Sequence, residues 1–213
     1  MNNEVSISRQ SANRQQGFTL IELVIVIVIL ALLAVTALPR FLNVTDDAEN
    51  ASVEGVAGGL ATAVGFVRAQ WEVDGRNNDS VILDGTSISL DTRFGYPTDA
   101  ADTGAVTNAT AMTDEACQQV FNNILQSAPS NVLYDEDASK SRYTVGMLEG
   151  AGDSTINLDG DLVENVDLCV YHQVASLVLN ATSGVPTAAT LDTSVGKGVI
   201  YNPAKGTVFS FIN

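Results

Sequence analysis

Apolar and polar positions divide this chain into three regimes. Residues 1–17 are polar, with Arg9 and Arg14 set against Glu4. From Phe18 to Leu38 almost every position is apolar, and only Thr19, Glu22 and Thr36 interrupt the run. As a helix, such a stretch spans roughly 30 Å, the thickness of a bilayer core. The positive residues ahead of it place that end in the cytoplasm if the run enters a membrane. A secretory signal peptide would have a shorter apolar stretch followed by small residues at its cleavage site. This one ends in Leu38-Pro39-Arg40-Phe41. A plain membrane anchor fits the length but leaves Glu22 unexplained, because a carboxylate within an apolar helix is costly in lipid and normally marks function.

Beyond Pro39 the periodicity stays helical but becomes amphipathic. Val53, Val56, Leu60, Val64, Val67 and Trp71 recur at spacings of three and four, while Asp46, Asp47, Glu49, Glu54 and Glu72 lie off that stripe. One helix is therefore expected across an apolar half, 18–38, and an amphipathic half, 39–74. Gly55, Gly58, Gly59 and Gly65 interrupt the second half, at about 1 kcal/mol each relative to Ala. Most simply they let a sheet approach the helix closely; the sharper reading is that they soften it.

From 75 to 213 the pattern becomes that of a globular α+β head. Asp74-Gly75 and Asp84-Gly85 are turn signals flanking a strand at Ser80–Leu83. Thr113 caps a short helix whose stripe is Ala116, Val120, Phe121 and Ile124, extending to about Gln126 and stopped by Pro129. Strands follow at 143–147, 168–179, 198–201 and Thr207–Ile212, the last two joined by a hairpin turn at 202–206. The expected architecture is one long helix packed on an antiparallel sheet.

Charge narrows the function classes. The 25 Asp and Glu against 10 Lys and Arg give a formal charge of -15, and no basic cluster exists to hold nucleic acid. Cys117 and Cys169 are the two cysteines; residue types alone leave them paired in an oxidising compartment or free in a reducing one. His172 is the only histidine, and it stands in no recognisable catalytic or metal-ligand spacing. No phosphate-binding loop, dinucleotide fingerprint, CxxC or HExxH motif occurs. No enzyme and no cofactor are expected.

The segment GFTLIELVIVIVILALLAVTALPRF resembles the signature of type IV prepilins and their pseudopilin relatives. The resemblance rests on the Gly17-Phe18 junction, on Glu22 as the fifth residue after it, and on Pro39 near the end of the apolar run. It implies a leader, 1–17, cut after Gly17 by a membrane peptidase that also N-methylates Phe18. It further implies inner-membrane residence as a precursor, then assembly into an extracellular homopolymer with minor pilins. Phe18, Glu22 and Pro39 would serve that assembly, with Glu22 pairing with the N-terminal amine of a neighbouring subunit. A buried charge with a partner is tolerable where an isolated one is not. The leader is longer than those of the commonest subclass, and the glycine often found late in the apolar run is missing; Pro39 is the helix weakener there.

Phe94-Gly95-Tyr96-Pro97, the segment running from Cys117 through Phe121 to Leu125, the Cys169 strand and the terminal hairpin resemble the mannose-sensitive haemagglutinin pilin group. If the head lies outside the cytoplasm, as that resemblance implies, Cys117 and Cys169 form a disulfide. Asp153, Asn157, Asp159 and Asp161 are oxygen ligands of the kind calcium takes, but their spacing does not match an EF-hand, and turn chemistry explains them equally well. Residues 98–113 read as an exposed loop available to surfaces or receptors. An adhesive pilus subunit is the leading expectation. A pseudopilin of a type II secretion system and a membrane-tethered sugar-binding protein are the alternatives.

Overall fold

The computed structural model describes residues 18–76, 78–100, 108–187 and 191–213. The leader reading, Gly17 included, lies outside the described residues. The chain divides into two units, 1–46 and 47–213. Helix α1, Leu20–Val73, starts in the first and finishes in the second. Its expected end at 74 holds to within one residue, and Pro39 lies inside it without ending it.

In the second unit α1 buries the face that the periodicity picks out. Val53, Leu60, Val64, Val67 and Trp71 are almost completely shielded, with Ala57 and Ala63 filling the stripe between them. Val56 is only partly covered. The glycines do not serve close approach to a sheet. A Cβ at Gly55, Gly58 or Gly65 would meet open space, and one at Gly59 would touch only a Leu125 methyl at 3.6 Å. Gly95 is where contact forbids a side chain. Its φ is +73°, and a Cβ there would run into the Trp71 ring and the Arg68 guanidinium.

After the helix come β1 (Ser80–Leu83), β2 (Thr86–Asp91) and β3 (Tyr96–Ala100), an antiparallel sheet in that order. Asp84 and Gly85 turn between β1 and β2 with φ of 49° and 85°, the two positive angles that a tight hairpin demands. The sequence reading found β1 but missed β2 and β3. Pro97 argues against a strand, yet β3 is an edge, where a missing donor is tolerated. Of the exposed loop expected at 98–113, residues 101–107 lie outside the described residues, and the expectation is corrected for much of the two flanks. Thr98, Asp99, Ala100, Ala109 and Met112 are all buried.

Two buried carboxylates hold that region down. Asp91 accepts from Arg93 Nη2 at 2.7 Å and from the Ala109 amide at 2.9 Å. Asp167 accepts from the Met112 amide at 2.9 Å and the Gly150 amide at 2.8 Å. Buried carboxylates are retained when their lone pairs are satisfied in this way.

Helix α2, Asp114–Ile124, is capped by the Thr113 hydroxyl, which accepts from the Ala116 amide at 3.1 Å. It is followed by β4 (Asn131–Leu133), β5 (Tyr143–Gly152), β6 (Thr155–Ile156), β7 (Leu162–Val163), β8 (Val166–Gln173), β9 (Lys197–Asn202) and β10 (Thr207–Ile212). The main sheet runs β10-β9-β8-β5-β4, and β6 and β7 form a separate small hairpin. β4 pairs with β5 in parallel, a departure from the antiparallel expectation. Because β4 is only three residues long, the connection climbs back just about 10 Å, so no long crossover is needed. β8 stops at Gln173 instead of reaching 179, where a short 3-10 turn at Val174–Ser176 takes over.

The two larger sheets and both helices enclose the larger of two buried apolar clusters in this unit; Phe94, Ala109, Val163, Val166 and Ala204 form the smaller. Phe121 stacks on Tyr171 at 4.4 Å and lies 5.8 Å from the Tyr143 ring. The Tyr201 hydroxyl donates to the Pro97 carbonyl oxygen at 2.8 Å, which ties β9 to β3.

Candidate functional site: the apolar helix and its cap

The first part of α1 puts its hydrophobic residues into the open. Ile21, Leu23, Ile25, Ile27, Leu30 and Leu33 are each more than half exposed, and the helix is long and apolar enough to cross a membrane. Phe18, just ahead of the helix, is 89% exposed. Apolar area of this extent on one helix needs lipid or another protein surface to cover it.

At its start, Thr19 and Glu22 satisfy each other. The Thr19 amide and hydroxyl both donate to Glu22 Oε2, at 2.8 and 2.7 Å, and the Glu22 amide donates back to the Thr19 hydroxyl at 3.3 Å. This is a reciprocal capping box, which satisfies donors that the first helical turn cannot pair. It also places a negative side chain at the positive end of the helix dipole. The sequence reading assigned Glu22 but passed over Thr19, although Thr-x-x-Glu before an apolar run is a visible cap signature.

Farther along, the Thr36 hydroxyl donates to the Leu33 carbonyl at 2.9 Å, and the Thr45 hydroxyl to the Phe41 carbonyl at 3.1 Å. Both threonines thus satisfy their hydroxyls on their own helix. Pro39 has no amide to donate within α1.

In the head, Cys117 of α2 and Cys169 of β8 are disulfide-bonded, with Cα atoms 5.4 Å apart. The Tyr171 hydroxyl donates to the Cys117 carbonyl at 3.0 Å beside this bridge. The Phe-Gly-Tyr-Pro segment packs at the end of α1. There the Arg68 guanidinium lies 4.8 Å from the Trp71 ring centre and 5.2 Å from that of Tyr96.

Three of the four residues considered for calcium make side-chain contacts of their own: Asp153, Asn157 and Asp161. Asp153 faces Lys205 Nζ at 3.4 Å. Asn157 Oδ1 accepts from the Asp159 and Asp161 amides at 3.0 and 2.8 Å, closing the turn between β6 and β7. Among the described residues no cluster of three or more His, Cys, Asp or Glu side chains is gathered to hold a metal. His172 is buried, with Nε2 3.1 Å from the Asp192 carbonyl oxygen. Burial holds its pKa below the ordinary imidazole range, against the opposing influence of Asp192.

The family described as the prokaryotic N-terminal methylation motif matches residues 12–38, which take in the Gly17-Phe18 junction, the Thr19–Glu22 cap and the apolar run. This N-terminal segment carries the prokaryotic N-terminal methylation motif. The chain is also similar to the type IV narrow pilus major component PilA5 of Thermus thermophilus. The two are 46% identical over 57 residues, which is 27% of this chain and 49% of that protein. The match thus spans about half the length of that curated relative. No solved structure matches the chain. The prepilin-type N-terminus together with a long helix and mixed sheets gives an α+β, pilin-like architecture.

Proposed function

We propose that the chain is the precursor of a type IV pilus subunit, a structural protein with no catalysis of its own. The single observation that carries this reading is Glu22, a carboxylate in the first turn of an exposed apolar helix, behind a prepilin-type junction. A peptidase cuts after Gly17 and methylates the new amine of Phe18. The precursor waits in the inner membrane and polymerises, with minor pilins, into an extracellular filament for surface attachment. The methylated amine of one subunit pairs with Glu22 of its neighbour, which offsets the cost of a charge in an apolar core. Thr19 holds the carboxylate in place until that partner arrives.

The second part of α1 supports the same reading. Gly55, Gly58, Gly59, Thr62, Phe66 and Ala69 are exposed and uncharged along one side of the helix. Small residues let helix backbones approach one another closely.

The test is filament assembly by Glu22→Ala and Glu22→Gln in cells lacking the native chain. Electron microscopy of surface filaments is expected to show none for Glu22→Ala, with precursor processing unchanged. Filaments of normal number from Glu22→Ala would remove Glu22 from assembly.

A further inference from the structure

β10 is a free edge of the main sheet, and it differs from the other edges of the fold. Natural sheets blunt their edges by shortness, charge, proline or bulges. β4, at the opposite edge, has three residues and β1 has four. β3 carries Pro97 and Asp99. β10, Thr-Val-Phe-Ser-Phe-Ile, has six residues with no charge and no proline, and it runs alongside β9 over its whole length without a register break.

The unpaired groups can be assigned by alternation. The Asn213 amide donates to the Gly196 carbonyl at 3.0 Å, continuing the ladder one step beyond Ile212↔Lys197. In an antiparallel pair the bonding residues alternate. Thr207, Phe209 and Phe211 therefore face β9, and Val208, Ser210 and Ile212 turn their N–H and C=O outward. Phe209 and Ser210 are exposed there.

We propose that two copies of this chain join edge to edge through β10, in antiparallel register about a two-fold axis at Ser210, to form one continuous sheet. That register sets Ser210 against Ser210, Val208 against Ile212 of the second copy, and Phe209 against Phe211. Every cross-strand pair is then apolar or matched, the kind that stabilises a ladder. A second copy is the favoured occupant because the edge is self-complementary and uncharged in a chain whose formal charge is -15. Elsewhere on the surface two such copies repel. The contact is separate from helix-driven polymerisation and does not depend on it. If filaments form, it would link one to another side by side.

The experiment uses the full-length chain in detergent, where the apolar helix is covered. Both native cysteines are in the disulfide, so an introduced cysteine is the one free thiol. Ser210→Cys treated with a short bis-maleimide is expected to run at twice its mass. Thr182→Cys, on an exposed turn away from this strand, is expected to remain a monomer. Adding Ile212→Pro to Ser210→Cys removes an outward donor without touching the β9 ladder, and is expected to cut the dimer yield at least tenfold. Retention of the Cys117–Cys169 bond reports that each variant is folded. A Ser210→Cys chain that stays monomeric, or one whose dimer yield equals the Thr182→Cys control or ignores Ile212→Pro, would overturn the proposal. Cross-linking to a different protein in place of a second copy would do so as well.

Discussion

The Thr19 hydroxyl donates to the Glu22 carboxylate at 2.7 Å, while the Glu22 amide donates to the same hydroxyl at 3.3 Å. The carboxylate that would be most costly in lipid is therefore bonded within its own chain. Thr19→Ala removes both contacts and is expected to cost about 1 kcal/mol of helix-start stability. Hydrogen exchange of the Leu20 to Glu22 amides in detergent is the check. Exchange should rise roughly fivefold relative to the parent, with Thr19→Ser close to it.

The disulfide ties α2 to β8 inside the buried cluster of the head. In the loop-entropy description, a bridge closing 52 residues contributes about 4 kcal/mol. The double variant Cys117→Ala/Cys169→Ala should melt roughly 8 to 16 °C lower than the parent. A reductant should lower the parent and leave the double variant unmoved.

Glycines that face open space give the opposite sign. Gly55→Ala and Gly58→Ala are each expected to raise head stability by about 0.5–1 kcal/mol, since nothing lies within 4 Å of the added methyl. Denaturant midpoints read this directly. Destabilisation by either would restore the idea that another element of the same chain presses on the helix there.

Sequence was most informative where one physical signal acts alone. The apolar run stands out because so long a hydrophobic stretch is conspicuous in a chain, and Glu22 and the Gly-Phe junction stand out against it. The α1 stripe and the Thr113 cap are equally local. The middle of the chain hid its strands because β2 interleaves Ser and Thr with only two large apolar residues, and β3 contains Pro97. Ala109 and Met112 read as parts of a solvated loop because the carboxylates that hold their amides, Asp91 and Asp167, lie outside that segment in sequence. Thr19 was overlooked for a different reason: the hydrophobicity around it drew all the weight to Glu22.

His172 predicts how the head responds to acid. Burial lowers its folded-state pKa, so the unfolded chain takes up the proton first as pH falls below the ordinary value of 6.5. Stability contributed by the neutral ring is full above that value. It declines by at most about 1.4 kcal/mol per pH unit below it, until the folded form is protonated too. His172→Gln should lack this component. The comparison is the difference between parent and variant in denaturant unfolding from pH 7.5 to 5, since carboxylates titrate in both.

Mass spectrometry of protein sheared from the cell surface, with electron microscopy of the same fraction, tests the central claim most directly. The account predicts filaments whose subunit begins at N-methylated Phe18 and is two mass units light for the Cys117–Cys169 bond. An intact Met1 terminus in that material would contradict it, as would a processed chain confined to the cell envelope with no filaments.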